Sequence, residues 1–311
     1  MISQFLMYNR IVSFLPSATE IIYLLGSQNI LLGVTHQCNY PNEAKNKPQV
    51  IKSVFNSESM TSLQIEEKIQ ELSRLQNDVF LINYELLKKI QPDLIISQGL
   101  CDVCSPHNKE IDKAIQFLNN KPDTLVLDPH TVDDIIQNIM DIAHSVGKEH
   151  KGLEIKDSLI KRIEKISTSK NKKPKVICLE WIDPLYICGH WVPQMVEIAG
   201  GINGISKIGQ RSHKIEFSQI SQFDPDILII MPCGFDIDKI LEEYGSLHKN
   251  HEWNSLKAVQ DGMVFAVDAL SYFSRPSPRI ITGIEILSKI INPDSFVDLN
   301  VPLNSYSRLK N

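Results

Sequence analysis

The hydrophobic pattern of the chain occurs twice, with short apolar strands followed by amphipathic helices in each half. Residues 10–14 (RIVSF) are an apolar run that predicts a strand. Residues 18–25 have helical spacing, and Gly26 is expected to end that helix because glycine accepts a left-handed backbone. In the second half, residues 175–181 (KVICLEW) predict a strand and residues 193–199 predict a helix. The two halves of the chain therefore share the same strand-then-helix pattern, which we call the internal echo.

Two further pairs of strands continue the echo. Residues 91–97 and 224–230 both place Pro-Asp before a continuous apolar run, which suits a strand covered on both faces. Residues 124–128 and 263–268 are strands that end in Asp. Because strands and helices alternate, each half is predicted to be a small parallel α/β unit.

A helical segment separates the halves. Apolar residues recur at helical spacing from residue 131 to about 168, with Gly147 and Gly152 as places where the helix is expected to break or kink. A long helix between similar lobes predicts a rigid linker. The predicted division is an N-terminal lobe at 1–130, a linker helix at 131–169 and a C-terminal lobe at 170–311.

The first lobe carries an insertion, residues 57–80, whose apolar spacing predicts an amphipathic helix over that lobe. Nothing in the insertion suggests chemistry.

Composition narrows the class of protein. The chain has 311 residues, 42% of them hydrophobic, which is enough for two cores. No apolar run approaches the ~18–20 residues of a membrane span, so the chain is not expected to be membrane-embedded. The net charge of -5 argues against a protein that binds nucleic acid. The protein is expected to be a monomer without a cofactor of its own.

The first ten residues lack a basic region, a continuous apolar region and a small-residue cleavage site. The sequence as written predicts a cytoplasmic protein, or an extracytoplasmic one if a signal segment has been removed.

Aromatic residues concentrate where the predicted strands end. Ligands of open parallel sheets bind outside the carboxyl ends of the strands. An aromatic cleft there suits a large, flat, partly apolar ligand, and about half of the rings are expected to face it, the others being core. The aromatic residues at these ends are Phe14, Tyr40, Trp181, Tyr186, Trp191, Phe235, Tyr272 and Phe273.

The sharpest local motif is Cys101-x-x-Cys104, with His107 close behind it. Its thiols could bind zinc or carry out redox chemistry, with Cys233 as a third thiolate and His190 as a further ligand. Small buried cysteines are the alternative, since free cysteine is among the most buried residue types. His190 could equally bond the loop backbone.

The loop at residues 271–279 holds two guanidinium groups. Arg275 is predicted to contact an anionic group of the ligand or a local carboxylate such as Asp268, and Arg279 is predicted to be structural. No catalytic triad or phosphate loop stands out.

Taken together, these motifs resemble the helical-backbone solute-binding proteins (cluster A-II, class III) of ABC importers for cobalamin, haem and iron-siderophores, and most closely the cobalamin-binding branch. The resemblance covers residues 10 to 292. It is carried by RIVSFLPSATEIIYLLG at 10–26, NYELLKKIQPDLIISQGLCDVC at 83–104, LEWIDPLYICGHWVPQMVEIAGGING at 179–204, MPCGF at 231–235 and YFSRPSPRIITGIEIL at 272–287.

The resemblance implies an α/β fold of two Rossmann-like parallel-sheet lobes, joined by a long rigid linker helix, with the corrinoid in a cleft between them. It also implies that four residues line the pocket: Tyr40, Phe55, Gln98 and Tyr186. In such receptors a glutamate on each lobe meets arginines of the permease. Glu85 matches the first; Ser218 stands at the second position, with Glu216 the nearest acid.

The leading hypothesis is a solute-binding protein, not an enzyme, that holds a corrinoid or a related, siderophore-like metal chelate for ABC-type uptake or intracellular handling. The alternative is a metal- or thiol-dependent enzyme that uses Cys101, Cys104, His190 and Cys233. The predicted ligand-binding residues are Phe14, Tyr40, Phe55, Gln98, Cys101, Trp181, Tyr186, His190, Trp191, Cys233, Phe273 and Arg275.

Overall fold

The computed structural model describes residues 7–99, 108–166 and 173–310. Cys101, Cys104 and His107 lie outside the described residues. Contacts between residues divide the chain into two compact units. The first unit consists of residues 1–60, 67–129 and 133–158, and the second of residues 61–66, 130–132 and 159–311. The lobe boundaries predicted at residues 130 and 169 stay predictions.

The first unit is built on a mixed sheet with the order β4-β3-β2-β1-β5-β6. Its strands are β1 (Ile11–Ser13), β2 (Leu31–Thr35), β3 (Gln49–Ser53), β4 (Phe80–Ile82), β5 (Leu94–Gln98) and β6 (Asp123–Leu127). Strand β4 is antiparallel to β3, whereas the other neighbouring pairs are parallel. The predicted parallel strands are present, and the antiparallel edge was not predicted.

Helices flank this sheet. They are α1 (Pro16–Leu24), α2 (Ser62–Arg74), α3 (Tyr84–Ile90) and α4 (Asn108–Gln116), with a 3-10 turn at Asn42–Asn46. Pro16 begins α1, where its missing N–H costs nothing, and Gly26 follows the helix with a φ of 72°. Asn83 caps α3 by accepting a hydrogen bond from the Leu86 N–H at 3.0 Å.

The predicted helical linker is present as two consecutive helices, α5 (Val132–Ser145) and α6 (Glu149–Ile166). They are separated at Gly147, which has a φ of 65° and so ends α5. Gly152, the other expected break, lies inside α6 without interrupting it. In the described ranges no helix is long and apolar enough to cross a membrane.

The second unit has a sheet with the order β10-β8-β7-β11-β12-β13, and β9 pairs with β7. Its strands are β7 (Lys175–Trp181), β8 (Tyr186–Ile187), β9 (Ile202–Asn203), β10 (His213–Lys214), β11 (Ile227–Ile230), β12 (Val264–Val267) and β13 (Tyr306–Arg308). Its central strands β7, β11 and β12 are parallel, as predicted. The outer strands β8, β10 and β13 are antiparallel to their neighbours.

The helices of the second unit are α7 (Val192–Ile198), α8 (Phe217–Phe223), α9 (Ile237–Tyr244), α10 (His251–Ser255), α11 (Lys257–Gln260), α12 (Ala269–Tyr272) and α13 (Ile280–Ile291), with 3-10 turns at Leu247–Lys249 and Pro293–Ser295. The core of this unit contains the fully buried Trp253, whose ring lies edge-on to Tyr244 with centroids 6.3 Å apart. Aliphatic residues of β7, β11 and β12 complete this core, as expected for strands covered on both faces.

Helix α2 corrects one prediction. It was expected to cover the first lobe with all its apolar residues, but residues 61–66 belong to the second unit. There Ile65 packs against the core of the second unit, while Leu72, further along the helix, is buried in the first. Helical periodicity identifies an apolar stripe without specifying which core each part of it meets.

Candidate functional site

In the first unit, the predicted ligand-binding residues follow the carboxyl ends of β1, β2, β3 and β5. Tyr40 is 48% exposed in the segment after β2, and Phe55 is half-buried after β3. Gln98 ends β5 and is buried. Phe14 is completely buried and belongs to the hydrophobic core of this unit. Of these residues, Tyr40 and Phe55 are therefore the aromatic side chains with surface to offer a ligand.

A polar cluster lies beside these strand ends. The buried Cys38 thiol is 3.2 Å from the Thr19 hydroxyl and 3.3 Å from the Thr35 hydroxyl. Thr35 ends β2 and Thr19 lies in α1, so the thiol ties the strand end to the helix. This arrangement fixes the start of the segment that carries Tyr40.

In the second unit, three side chains form a ladder across the edge of the sheet. Trp181 ends β7 and, after a register shift that follows Leu179, pairs with Tyr186 of β8, which lies directly opposite Lys214 of β10. Directly opposite residues of antiparallel strands project from the same face, so this face carries an indole, a phenol and an ammonium group in sequence. We call Trp181, Tyr186 and Lys214 the edge ladder.

Neighbouring groups hold the edge ladder in place. The Trp181 ring lies 5.5 Å from the Phe235 ring, and the Lys214 ammonium lies 5.7 Å from the centroid of Tyr186. Both Trp181 and Tyr186 remain half-buried. The Trp181 indole N–H is enclosed and has no hydrogen-bond acceptor within the described part of the chain. An enclosed donor beside exposed aromatic surface is suited to receive an acceptor from a ligand.

Two predicted aromatic residues are instead buried. Trp191 is 5% exposed, and its indole N–H donates to the Phe273 carbonyl at 2.9 Å. Phe273 is itself 2% exposed. Because this indole already has a backbone acceptor, both rings are placed as structural side chains between α7 and the loop after α12.

His190 precedes α7 in a left-handed conformation, with a φ of 52°. Its backbone is bonded in both directions: the N–H donates to Gln210, and the carbonyl accepts from Gly209. The His130 ring lies 5.9 Å from the His190 ring, and its Nδ1 is 3.2 Å from the Gly209 carbonyl. No local motif predicts this histidine pair, because the two residues are 60 positions apart.

The thiols of the second unit are arranged differently from the predicted metal set. Cys178 lies on β7 and Cys188 directly follows β8. The Cys188 N–H donates to the Cys178 carbonyl, and burial raises the pKa of both thiols. Cys233 is half-buried. Across the described ranges, no three His, Cys, Asp or Glu side chains form a group that could hold a metal ion.

The remaining predicted residues are placed as follows. Arg275 is buried in the loop between α12 and α13. Glu85 is exposed in the first turn of α3, next to Tyr84, whose ring stacks on Phe117 at 4.3 Å. Glu216 is exposed at the N-terminus of α8, where it forms a capping box with Gln219.

The two sheets, with their parallel central strands and flanking helices, define a protein of the α/β class. A family described as "Periplasmic binding protein" matches residues 11–270, and the chain belongs to that family. The predicted resemblance to solute-binding proteins of ABC importers is confirmed.

Curated relatives match over most of the chain. The chain is 25% identical over 297 residues to an uncharacterized ABC transporter substrate-binding lipoprotein, YvrC, of Bacillus subtilis, covering 92% of this chain and 81% of that protein. It is 23% identical over 284 residues to the vitamin B12-binding protein of Vibrio cholerae, covering 89% and 86%. Among solved structures, a periplasmic heme-binding protein from Pseudomonas aeruginosa is similar in fold, with a TM-score of 0.69 at 15% identity over 92% of this chain and 94% of that one.

Proposed function

We propose that the protein is the solute-binding component of an ABC-type uptake system and that its ligand is a corrinoid of the cobalamin type. The observation that supports this proposal is the edge ladder, in which the half-buried aromatic residues Trp181 and Tyr186 are cross-strand partners where β7 ends. The match to the vitamin B12-binding protein over 89% of this chain supports a corrinoid as the first ligand to test.

The proposed contacts are few in each unit. In the first unit, Tyr40, Phe55 and Gln98 receive the ligand; in the second, Trp181 and Tyr186 do so. A fully buried aromatic side chain covers about 150–250 Å². The two partly buried rings in the second unit alone therefore offer an area that suits the face of a macrocycle and exceeds what a small ion needs.

Each side chain has a distinct role. The rings supply apolar contact at low entropic cost, whereas Gln98 and the Trp181 indole N–H offer hydrogen bonds to polar groups of the ligand. The protein binds and releases its ligand without changing it chemically. It works outside the cytoplasm with a permease partner, and the exposed Glu85 on α3 is the residue proposed to dock there.

The test is a titration of the purified protein with cyanocobalamin, cobinamide and haem, followed by visible absorption and calorimetry. Saturable one-to-one binding of a corrinoid is expected. Trp181→Ala and Tyr186→Ala should each weaken it by about tenfold or more, because each removes an aromatic contact of roughly 1–3 kcal/mol.

Phe117→Ala is the matched control, since this ring is 59% exposed and lies outside the proposed set. Its dissociation constant should equal that of the wild type. Absence of corrinoid binding, or binding that neither ladder variant weakens, would overturn the proposal. Saturable binding of haem, without binding of either corrinoid, would replace the corrinoid by haem as the ligand of the same class of protein.

A further inference from the structure

A short segment at the start of α2 contacts the edge ladder. Residues 61–66 belong to the second unit, although the rest of α2 belongs to the first. The segment is anchored at its start by Glu243 of α9. The Ser62 backbone N–H donates to both Glu243 carboxylate oxygens, at 2.9 and 3.0 Å, and the Ser62 hydroxyl donates to one of them at 2.6 Å. A carboxylate at a helix N-terminus is favourable, because it accepts unpaired N–H groups and faces the positive end of the dipole.

The anchor brings Glu66 to the ladder. Glu66 follows Ser62 by four residues and therefore projects from the same side of the helix. Its carboxylate lies 3.7 Å from the Lys214 ammonium, and its negative charge raises the pKa of Tyr186. The Glu66 side chain is 20% exposed, so its charge is only partly screened by water.

Glu66 changes what the ladder presents to a ligand. Without it, Tyr186 and Lys214 would form a site with a net positive charge, which favours a carboxylate. With it, the ammonium charge is balanced and Tyr186 lies in the field of a carboxylate. A second carboxylate brought to this edge would be repelled by Glu66, whereas a carboxamide would meet no such penalty.

We propose that Glu66 is a specificity-determining residue of the binding site, which orients Tyr186 and neutralises Lys214 so that the site accepts a ligand edge bearing carboxamides in preference to one bearing carboxylates. This inference rests on the proposed function, which places Tyr186 at the ligand. It extends that function by assigning the charge class of the ligand edge.

The experiment compares two probes that differ in one group: cyanocobalamin and a monocarboxylic acid derivative made by hydrolysing one side-chain amide. The wild type should bind the amide form about tenfold more tightly than the acid. Glu66→Gln should reduce that ratio to less than about threefold, because Lys214 then attracts the carboxylate. Glu67→Gln is the matched control, since Glu67 is an exposed acid beside Glu66 on the same helix.

A second measurement does not depend on any ligand. Burial raises the pKa of Tyr186, and the Glu66 carboxylate raises it further, against the opposite effect of Lys214. Tyrosinate absorbance, taken as the difference from Tyr186→Phe, should therefore titrate at lower pH in Glu66→Gln than in the wild type. Glu67→Gln should leave this titration unchanged.

The outcomes separate the two proposals. If the wild type binds cyanocobalamin but Glu66→Gln keeps the same preference for the amide, the inference is wrong and the proposed function stands. If the wild type binds no corrinoid, the proposed function fails. In that case, a Tyr186 titration that is unchanged in Glu66→Gln would overturn the contact between Glu66 and Tyr186. A Tyr186 titration at lower pH in Glu66→Gln would retain Glu66 as the positioning residue of Tyr186.

Discussion

The ion pair between Arg162 of α6 and Glu285 of α13 should be a major stabilising contact of the second unit. The Arg162 Nε–H donates to one Glu285 oxygen at 2.9 Å, and a terminal N–H donates to the other at 2.6 Å. The same terminal nitrogen donates to the Thr282 hydroxyl at 2.9 Å. The perturbation is Glu285→Gln, which keeps the volume of the side chain but removes its charge and one acceptor.

The geometry sets the expected magnitude. Removing one member of a buried pair costs about 3–5 kcal/mol, and a single charged hydrogen bond contributes about 1.5–3 kcal/mol. The Glu285 side chain is 12% exposed, but that of Arg162 is 34% exposed, so solvent screens part of the interaction. We therefore expect Glu285→Gln to lower the free energy of unfolding of the second unit by about 2 kcal/mol. At a urea slope near 2 kcal/mol/M, the midpoint should fall by about 1 M.

The assay is urea unfolding followed by tryptophan fluorescence, because all three tryptophans, Trp181, Trp191 and Trp253, belong to the second unit. Arg162→Met and the double variant complete a cycle, whose coupling should be about 1–2 kcal/mol. Glu154→Gln is the control: its pair with Lys151 on α6 is exposed, and its removal should leave the midpoint unchanged. Strictly additive single changes, or a loss below about 0.5 kcal/mol in Glu285→Gln, would refute the reasoning.

Two further predictions follow from single contacts. The Tyr8 hydroxyl donates to Asp123 at 2.7 Å; this bond, with smaller contributions from burial and from the charges of Asp123 and Asp93, raises the pKa of Tyr8 to about 12. The stability that this hydrogen bond contributes is present below the ordinary tyrosine pKa of about 10 and is lost as the pH rises towards 12. Tyr8→Phe should therefore flatten the fall in stability over that pH window in thermal unfolding scans. A pH profile identical to that of the wild type would contradict the prediction. Trp253→Ala should destabilise the second unit by about 3–5 kcal/mol in urea unfolding followed by circular dichroism, because the side chain is completely buried, and a loss under 1 kcal/mol would show that the site collapses.

The sequence predicts the central strands well because their signals are local. The Pro-Asp pairs at residues 92–93 and 225–226 precede β5 and β11, and the apolar run of residues 175–181 coincides with β7. Such continuous apolar runs indicate a strand that is buried on both faces, and they can be identified without knowing which distant residues it contacts. Gly26 and Gly147 likewise mark helix ends, since both have a positive φ.

The outer strands of the second sheet cannot be predicted from the sequence, because they have no local signal. Strands β8 and β10 are two residues long, too short to show any alternation of apolar and polar positions. Their pairing with β7 is what places Trp181, Tyr186 and Lys214 on one face. The sequence identifies two of these residues as candidates, but their register is a tertiary property and the lysine gives no signal of its own.

Burial also divides the aromatic candidates in a way that composition cannot. Trp181 ends β7 and Trp191 lies ten residues further on, and both look like cleft residues in the sequence. Yet Trp191 donates to a backbone carbonyl, while the Trp181 N–H has no acceptor in the described part of the protein. A buried donor that is satisfied by backbone needs nothing further, whereas an enclosed donor without an acceptor has the most to gain from a ligand. The difference is set by residue 273, more than 80 positions away, so it becomes visible only in the folded chain.

The position of the edge ladder has a consequence for ligand choice in this family. The parallel strands β7, β11 and β12 are covered on both faces and cannot change without disturbing the core. Strand β10 is the edge strand and β8 lies next to it; Lys214 on β10 is 55% exposed, so a substitution there changes the proposed ligand-facing surface at little cost in packing. A fold conserved at 15% identity can therefore carry different edges, and the residues that discriminate between ligands should be sought on these edge strands and on the segment of α2 that contacts them.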